Sequence, residues 1–297
     1  MAFCNFFLPS LFIKTFIMSL PRQLTAQEKI NFHNDFPLLD VDFTIVTDEP
    51  TGVYNCISWT VGVTNLWHWP GPLLSDFDNF YSQFGMQQKT KGFVAAWGFA
   101  EDSMTHGCIS GATHGPKWES KCGGWARIQH CLNELNGPDS NYGHVIVYYS
   151  WKKLIVGPFY PKYLLKFLKE ERKFTKEEMS ILRSLIKDIP RDKVADFENK
   201  FKALKRSWSA GSFSSASDPY AKTKTAEYRE LTALGKSILP LLANKMTNES
   251  NFLALPAFEQ LANDRKLIIR IASSDERILE GEQGRAYRTV KNYLSSR

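Results

Sequence analysis

The sequence is short of several things that would settle its class at once. Its five cysteines, an odd number in 297 residues, form no dense framework, so a disulfide-stapled secreted scaffold is not indicated and a mostly reduced, intracellular chain is the expectation. Glycine (18) and proline (14) stand at ordinary levels, which excludes collagen-like and wholly disordered chains. No two close ligand pairs have the spacing of a structural zinc site: His106 and Cys108 are two apart, His114 falls in a loop and Cys122 lies beyond it. Past the first eighteen residues no run is apolar enough to cross a bilayer. The opening MAFCNFFLPSLFIKTFIM has no basic residue before its apolar run, is interrupted by Lys14 and lacks a clear cleavage site, so it reads as an extension ahead of an effective start at Met18. Its apolarity leaves secretion open beside the expected cytoplasmic location.

What is there divides unevenly. Residues 1–160 carry 10 Lys and Arg against 13 Asp and Glu, whereas residues 161–297 carry 27 against 18. Seven of the eight tryptophans and all five cysteines belong to the first part. This break predicts an extension (1–24), an aromatic, cysteine-bearing domain (25–160) and a basic, helical domain (161–297).

Along the first domain, Thr25 with Glu28 three residues on marks a helix start. DEPTGV (48–53) reads as a loop, and YNCISWTVGVT as a short buried helix whose first turn holds Cys56. LLSDFDNFYSQFGM has helical apolar spacing, with Ser75 or Asp76 as cap and Gly85 as stop. The period then changes. GFVAAWGFA, MTHGCISG, KWESKCG, ARIQH and GHVIVYY are short, turn-separated runs suited to antiparallel strands, which makes the domain α+β. Beyond Pro161 amphipathic helical patterns dominate, GSFSSASDPYAKTKT is a loop, and the paired helices after it are similar to a HEAT-like pair.

Three readings compete for the segment from His106 to Cys122: a metal site, a cysteine-nucleophile site and a hairpin without chemistry. The nucleophile reading needs a thiol made ionisable and a base within reach. A helix N-terminus favours a thiolate, and Cys56 would sit at one. His106 would act as general base and then acid, while Glu119 or Ser120 on the next strand would orient its ring. Asn55 or the Cys56 backbone N–H would serve an oxyanion site. Tyr54, Asn55, Trp67, His68, Trp69 and His114 are the candidate substrate-binding residues, although His68 between two tryptophans also suits a buried aromatic cluster. His130 is expected to cap or pack, and Cys108, Cys122 and Cys131 to be core residues. No metal and no organic cofactor is required.

The chain order of helix-borne cysteine, strand histidine and polar residue on the adjacent strand resembles that of papain-like enzymes of the NlpC amidase and peptidase type. In addition, YNCISWTVGVTNLWHWP, MTHGCISG, GPKWESKCGGWARIQH and YGHVIVYY, over residues 50 to 150, resemble an uncharacterised domain family of microbial and fungal proteins. Its pattern implies Cys56 and His106 as the functional pair; Ser58 departs from the alanine usual there. These resemblances imply a papain-like domain followed by an all-α domain. They also imply a cysteine-dependent peptidase, amidase or deamidase acting on a peptide or other amide-bearing substrate. The alternative is an inactive relative that binds a protein partner through its helical scaffold. Acidic residues interspersed through the basic half, and no nucleic-acid-reading motif, argue against a nucleic-acid partner.

Overall fold

The computed structural model describes residues 19–111, 117–152, 162–169, 172–209 and 214–297. Among them, eight strands form one antiparallel sheet: β1 (Arg22–Gln23), β2 (Ile45–Asp48), β3 (Met86–Lys89), β4 (Val94–Gly98), β5 (Met104–Ser110), β6 (Trp118–Lys121), β7 (Arg127–His130) and β8 (His144–Trp151). Their spatial order is β1-β2-β7-β6-β5-β4-β8-β3. The helices between them are α1 (Ala26–Asp35), α2 (Cys56–Thr60) and α3 (Leu74–Gln83). The second part is helical: α4 (Lys162–Lys169), α5 (Lys176–Lys187), α6 (Arg191–Ser209), α7 (Ala226–Thr232), α8 (Leu239–Met246), α9 (Leu255–Ala262) and α10 (Gly281–Ser295). The layout is therefore α+β, a sheet part followed by a helical part.

The two faces of the sheet follow from the two-residue period of a strand. On β4, Val94 and Ala96 join the core beneath α2 and α3, built on Ile57, Phe77, Phe80 and Tyr81. Ala95 and Trp97 point the other way, into the core that α1 closes with Phe32 and Phe36. Each fully buried valine, isoleucine or phenylalanine among them contributes about 1.5–3 kcal/mol. The start of α1 has the expected capping box between Thr25 and Glu28. α3 corrects the expected cap: Leu73 is the N-cap, and Asp76 reaches back to its N–H at 3.1 Å. β2 and β3 went unread in the sequence because each is four residues long and MQQK has no apolar alternation. Cys108 and Cys122 are buried as expected, but Cys131 is exposed, since it follows the last residue of β7 and opens a surface turn.

The sheet and helical parts share apolar ground. Leu164, Phe167 and Leu279 pack in the α2–α3 core, and Trp67 packs in the helical core against Trp208 and Phe252. The first residues of α10 grip the front part directly. Glu282 N–H donates to the Trp67 carbonyl, and Gln283 takes the Trp67 N–H at 2.9 Å while donating to the Val53 carbonyl at 2.9 Å. No helix among the described residues is long and apolar enough to cross a membrane.

Candidate functional site

Cys56 is the first residue of α2, and Asn55 caps that helix by accepting from the Ser58 N–H at 3.2 Å. Asn55 Nδ2 donates to the His68 carbonyl at 2.7 Å. Asn55 is thus spent on holding the helix and the Trp67–His68 loop, and is not free for an oxyanion. α2 packs on β5, and Gly107 makes the approach possible: a Cβ there would stand 3.1 Å from the Tyr81 hydroxyl and 3.3 Å from Thr60. β5 pairs with β6 only at Ile109 and Ser110; nearer its start it faces α2 instead.

The Cys56 sulfur is fully buried and lies 2.8 Å from Ser217 Oγ. Burial pushes its thiol up to about 11, against the Ser217 hydroxyl, the Gly107 and Ile57 backbone groups and the Lys121 charge, all of which favour the thiolate. The expectation of a thiol acidified by a helix terminus is therefore corrected. α2 has only five residues, too few for a developed dipole, and desolvation outweighs the local donors.

His106 lies on the opposite face of β5 from Gly107, paired with Trp97 and stacked 3.7 Å from the Tyr142 ring. From it a chain of hydrogen bonds crosses three neighbouring strands, and its polarity can be read from the far end. His130 Nδ1 lies 2.8 Å from the Cys131 carbonyl, which only accepts, so Nδ1 carries the proton. Burial holds His130 neutral, at about 4, so its Nε2 is an acceptor and takes the Ser120 hydroxyl proton at 2.8 Å. Ser120 Oγ in turn accepts from His106 Nε2–H at 2.9 Å. His106, pushed well down by burial and then by His130, is left neutral with Nδ1 bare. That Nδ1 is buried and has no hydrogen-bond partner.

The remaining expected residues divide sharply. Ser120, and not Glu119, orients His106. Glu119 faces the other side of β6, pairs with Arg127 at 2.9 Å and accepts from the Thr47 hydroxyl, because neighbouring residues of a strand point to opposite faces. Tyr54 is buried and donates to Asp48. Trp67 and His68 are fully buried, so they line no groove. Trp67 Nε1 donates to the Ser217 carbonyl at 2.8 Å, and His68, pulled down to about 4 by burial, bridges Ser58 and the Leu279 carbonyl. Trp69 does border an open cleft. His114 lies outside the described residues. Among the described residues no group of three His, Cys, Asp or Glu side chains surrounds a point that could hold a metal ion.

Sequence reasoning missed four participants. His130 had a usable signal, since on β7 it alternates with Ile128 onto the Ser120 face. Tyr142 and Gly107 had none beyond proximity to strands. Ser217 sits in the loop before α7 and reaches Cys56 across 161 positions. Its neighbours are tied down as well. The Ser214 carbonyl accepts from Gly124 N–H at 2.7 Å, the Ser215 carbonyl from the Tyr142 hydroxyl at 2.9 Å, and Ser215 Oγ donates to Asp35 at 2.6 Å. Gly123, at φ +53°, lets this strap lie close; a Cβ there would stand 2.3 Å from the Ser214 carbonyl oxygen. Lys121, whose Nζ donates to the Thr51, Gly123 and Trp125 carbonyls, braces the same turn.

As a class, the geometry defines an α+β protein whose antiparallel sheet carries a neutral histidine chain of fixed polarity beside a strapped, helix-borne cysteine. The family model described as Domain of unknown function (DUF7689) matches residues 45–150, from the start of β2 to within β8. The match includes Cys56, His106, Ser120 and His130 and excludes Ser217. No curated protein and no solved structure matches the chain.

Proposed function

We propose that the sheet part is a cysteine-dependent amide hydrolase or acyl transferase whose thiol exchanges between the form capped by Ser217 and an open form served by His106, and that it is the open form that reacts. One observation carries the reading. The Cys131–His130–Ser120–His106 chain leaves a buried, unpartnered base at His106 Nδ1, one residue along β5 from the Gly107 N–H that faces Cys56. An unpaired acceptor in an apolar interior is costly, and among the buried unpaired atoms of the described residues His106 Nδ1 is the imidazole base. Cys56 and His106 are not hydrogen-bonded to each other and lie toward opposite faces of β5; for the pair to form, the sulfur must leave Ser217 and reach Nδ1 through the gap where the start of β5 does not pair with β6.

In that arrangement His106 Nδ1 takes the thiol proton and the thiolate attacks the amide carbon, forming a C–S bond. The C–N bond then breaks, with the proton passing from Nδ1 to the leaving amine. Water, deprotonated by Nδ1, attacks the thioester, the C–S bond breaks, and the thiol is restored. Ser120 acts as a positioning residue, as it fixes the tautomer in which Nδ1 accepts. The papain-like ordering of cysteine, histidine and polar residue supports the same assignment. A peptide or other amide is the substrate class this chemistry takes.

A second reading has its own observation in its favour. A fully buried thiol raised to about 11 and bonded to Ser217 is also what inert packing looks like. In that case the sheet part binds a partner, with the helical part as a HEAT-like scaffold. Alkylation of Cys56 by iodoacetamide from pH 4 to 9, followed by peptide mass spectrometry, separates the two. The hydrolase reading predicts reaction beginning well below the ordinary thiol range, a loss of that low-pH onset in His106→Gln, and faster reaction in Ser217→Gly. An ordinary thiol profile, or a Cys56 that never reacts in the folded protein, favours the interaction protein.

A further inference from the structure

Residues 215–217 of the strap and Tyr142, which stacks on His106, both line a cleft of about 360 Å³. Ser217, in its lining, places its Oγ on the Cys56 sulfur, and Tyr142 stacks its ring on His106. The cleft therefore borders the residues that cover both members of the proposed pair. Its sides are apolar: Trp69, Pro72, Phe99 and Met104. Met104 reaches it because Thr105 is an extra residue opposite Trp97 and Gly98, a bulge that turns the start of β5 toward the α3 side. Thr105 itself is spent, its hydroxyl donating to the Tyr142 carbonyl at 2.7 Å. The lining also includes Asp218 and Lys224, one charge of each sign.

We propose that this cleft is the side-chain subsite of the Cys56–His106 centre, and that it takes an aromatic or large aliphatic side chain next to the amide to be cleaved. The inference rests on the hydrolase reading. The volume lies within the range of small-molecule sites and suits one large side chain with its adjoining peptide unit. Phe99 is 51% exposed although it is a phenylalanine beside a tryptophan and a methionine, so apolar surface stands open where a ligand would cover it. Burying a phenyl ring there favours binding by about tenfold or more.

The test compares two alkylating agents with the same reactive group, iodoacetamide and N-(2-phenylethyl)iodoacetamide. In both, the Cys56 sulfur bonds to the methylene carbon as iodide leaves. Cys131 is exposed and serves as an internal reference in the same molecules. The expected result is a phenylethyl-to-plain rate ratio at Cys56 about tenfold above that at Cys131, falling toward the Cys131 ratio in Phe99→Ala. If Cys56 reacts with a His106-dependent pH profile but shows the same ratio as Cys131, the subsite proposal is overturned while the hydrolase reading stands. If neither agent reaches Cys56 in the folded protein, both are overturned.

Discussion

Buried polar groups are handled in opposite ways in the two parts of the molecule. On one face of β5, β6 and β7 they are neutral: two imidazoles and a hydroxyl pass hydrogen bonds in one direction and end on a bare nitrogen, while the Glu119–Arg127 ion pair holds the other face. Between α9, α10 and the turn before α7 they are ionic. Arg285 meets Glu282 at 2.8 Å and Glu259 at 3.8 Å, and donates to the Tyr220 hydroxyl, which donates onward to Glu259 at 2.5 Å. The ionic cluster returns on itself and fastens helices. The neutral chain is directional and stops short of closing. An open end does not by itself set the two apart, since Glu259 Oε1, Glu282 Oε2 and Arg285 Nε of the ionic cluster are buried without a hydrogen-bond partner as well; direction and neutrality do.

The contrast can be broken at its ionic end with the largest effect. Arg285→Ala leaves Glu282 and Glu259 buried without their cation, and stability is expected to fall by about 3–5 kcal/mol in urea unfolding. An unchanged midpoint would show that the cluster fastens nothing.

Acid probes the neutral side. His68 and His130 are held at about 4 against an ordinary 6.5, so the unfolded chain takes up their protons first as pH falls. The stability they contribute is present above pH 6.5 and is lost between there and pH 4, about 2 kcal/mol for each by pH 5. His130→Gln should remove its share of that slope; a slope that persists unchanged would place the acid sensitivity elsewhere.

A comparable effect on stability, at Ser120, is the most informative about the chain. Ser120→Ala strands the His106 Nε2–H and the His130 Nε2 and is expected to cost about 1–3 kcal/mol. It should also raise the pH at which Cys56 begins to be alkylated, because the His106 tautomer is no longer fixed. A loss of stability with no change in that profile would make Ser120 merely structural.

Much of the sheet part was legible. The period change after Gly85 located β4 to β8, and the cap signal at Thr25 reflects a side chain bonding a backbone N–H three residues on; the cap at Asn55 went unread. Cys56, His106 and Ser120 could be singled out because helix start and strand alternation are local. Their burial could not. Cys56 is covered by Ser217, and Trp67 by Trp208 and Phe252, contacts that bridge parts of the chain with different composition and no shared pattern. The same long-range packing moved Tyr54, Asn55, Trp67 and His68 from an expected groove into the interior. The choice between Glu119 and Ser120 was open in the sequence and is decided by strand register, which one residue of offset would have reversed.

The account turns on the direction of the hydrogen-bond chain, and long-range nitrogen–proton NMR of the histidine rings at neutral pH reads that direction itself. Signals are assigned by their loss in His106→Gln and His130→Gln. The prediction is two neutral rings of opposite tautomer, His130 protonated on Nδ1 and His106 on Nε2, with His106 Nδ1 carrying no proton. A His106 protonated on Nδ1, or a charged His106 ring, would contradict it, because no base would then be left to serve Cys56.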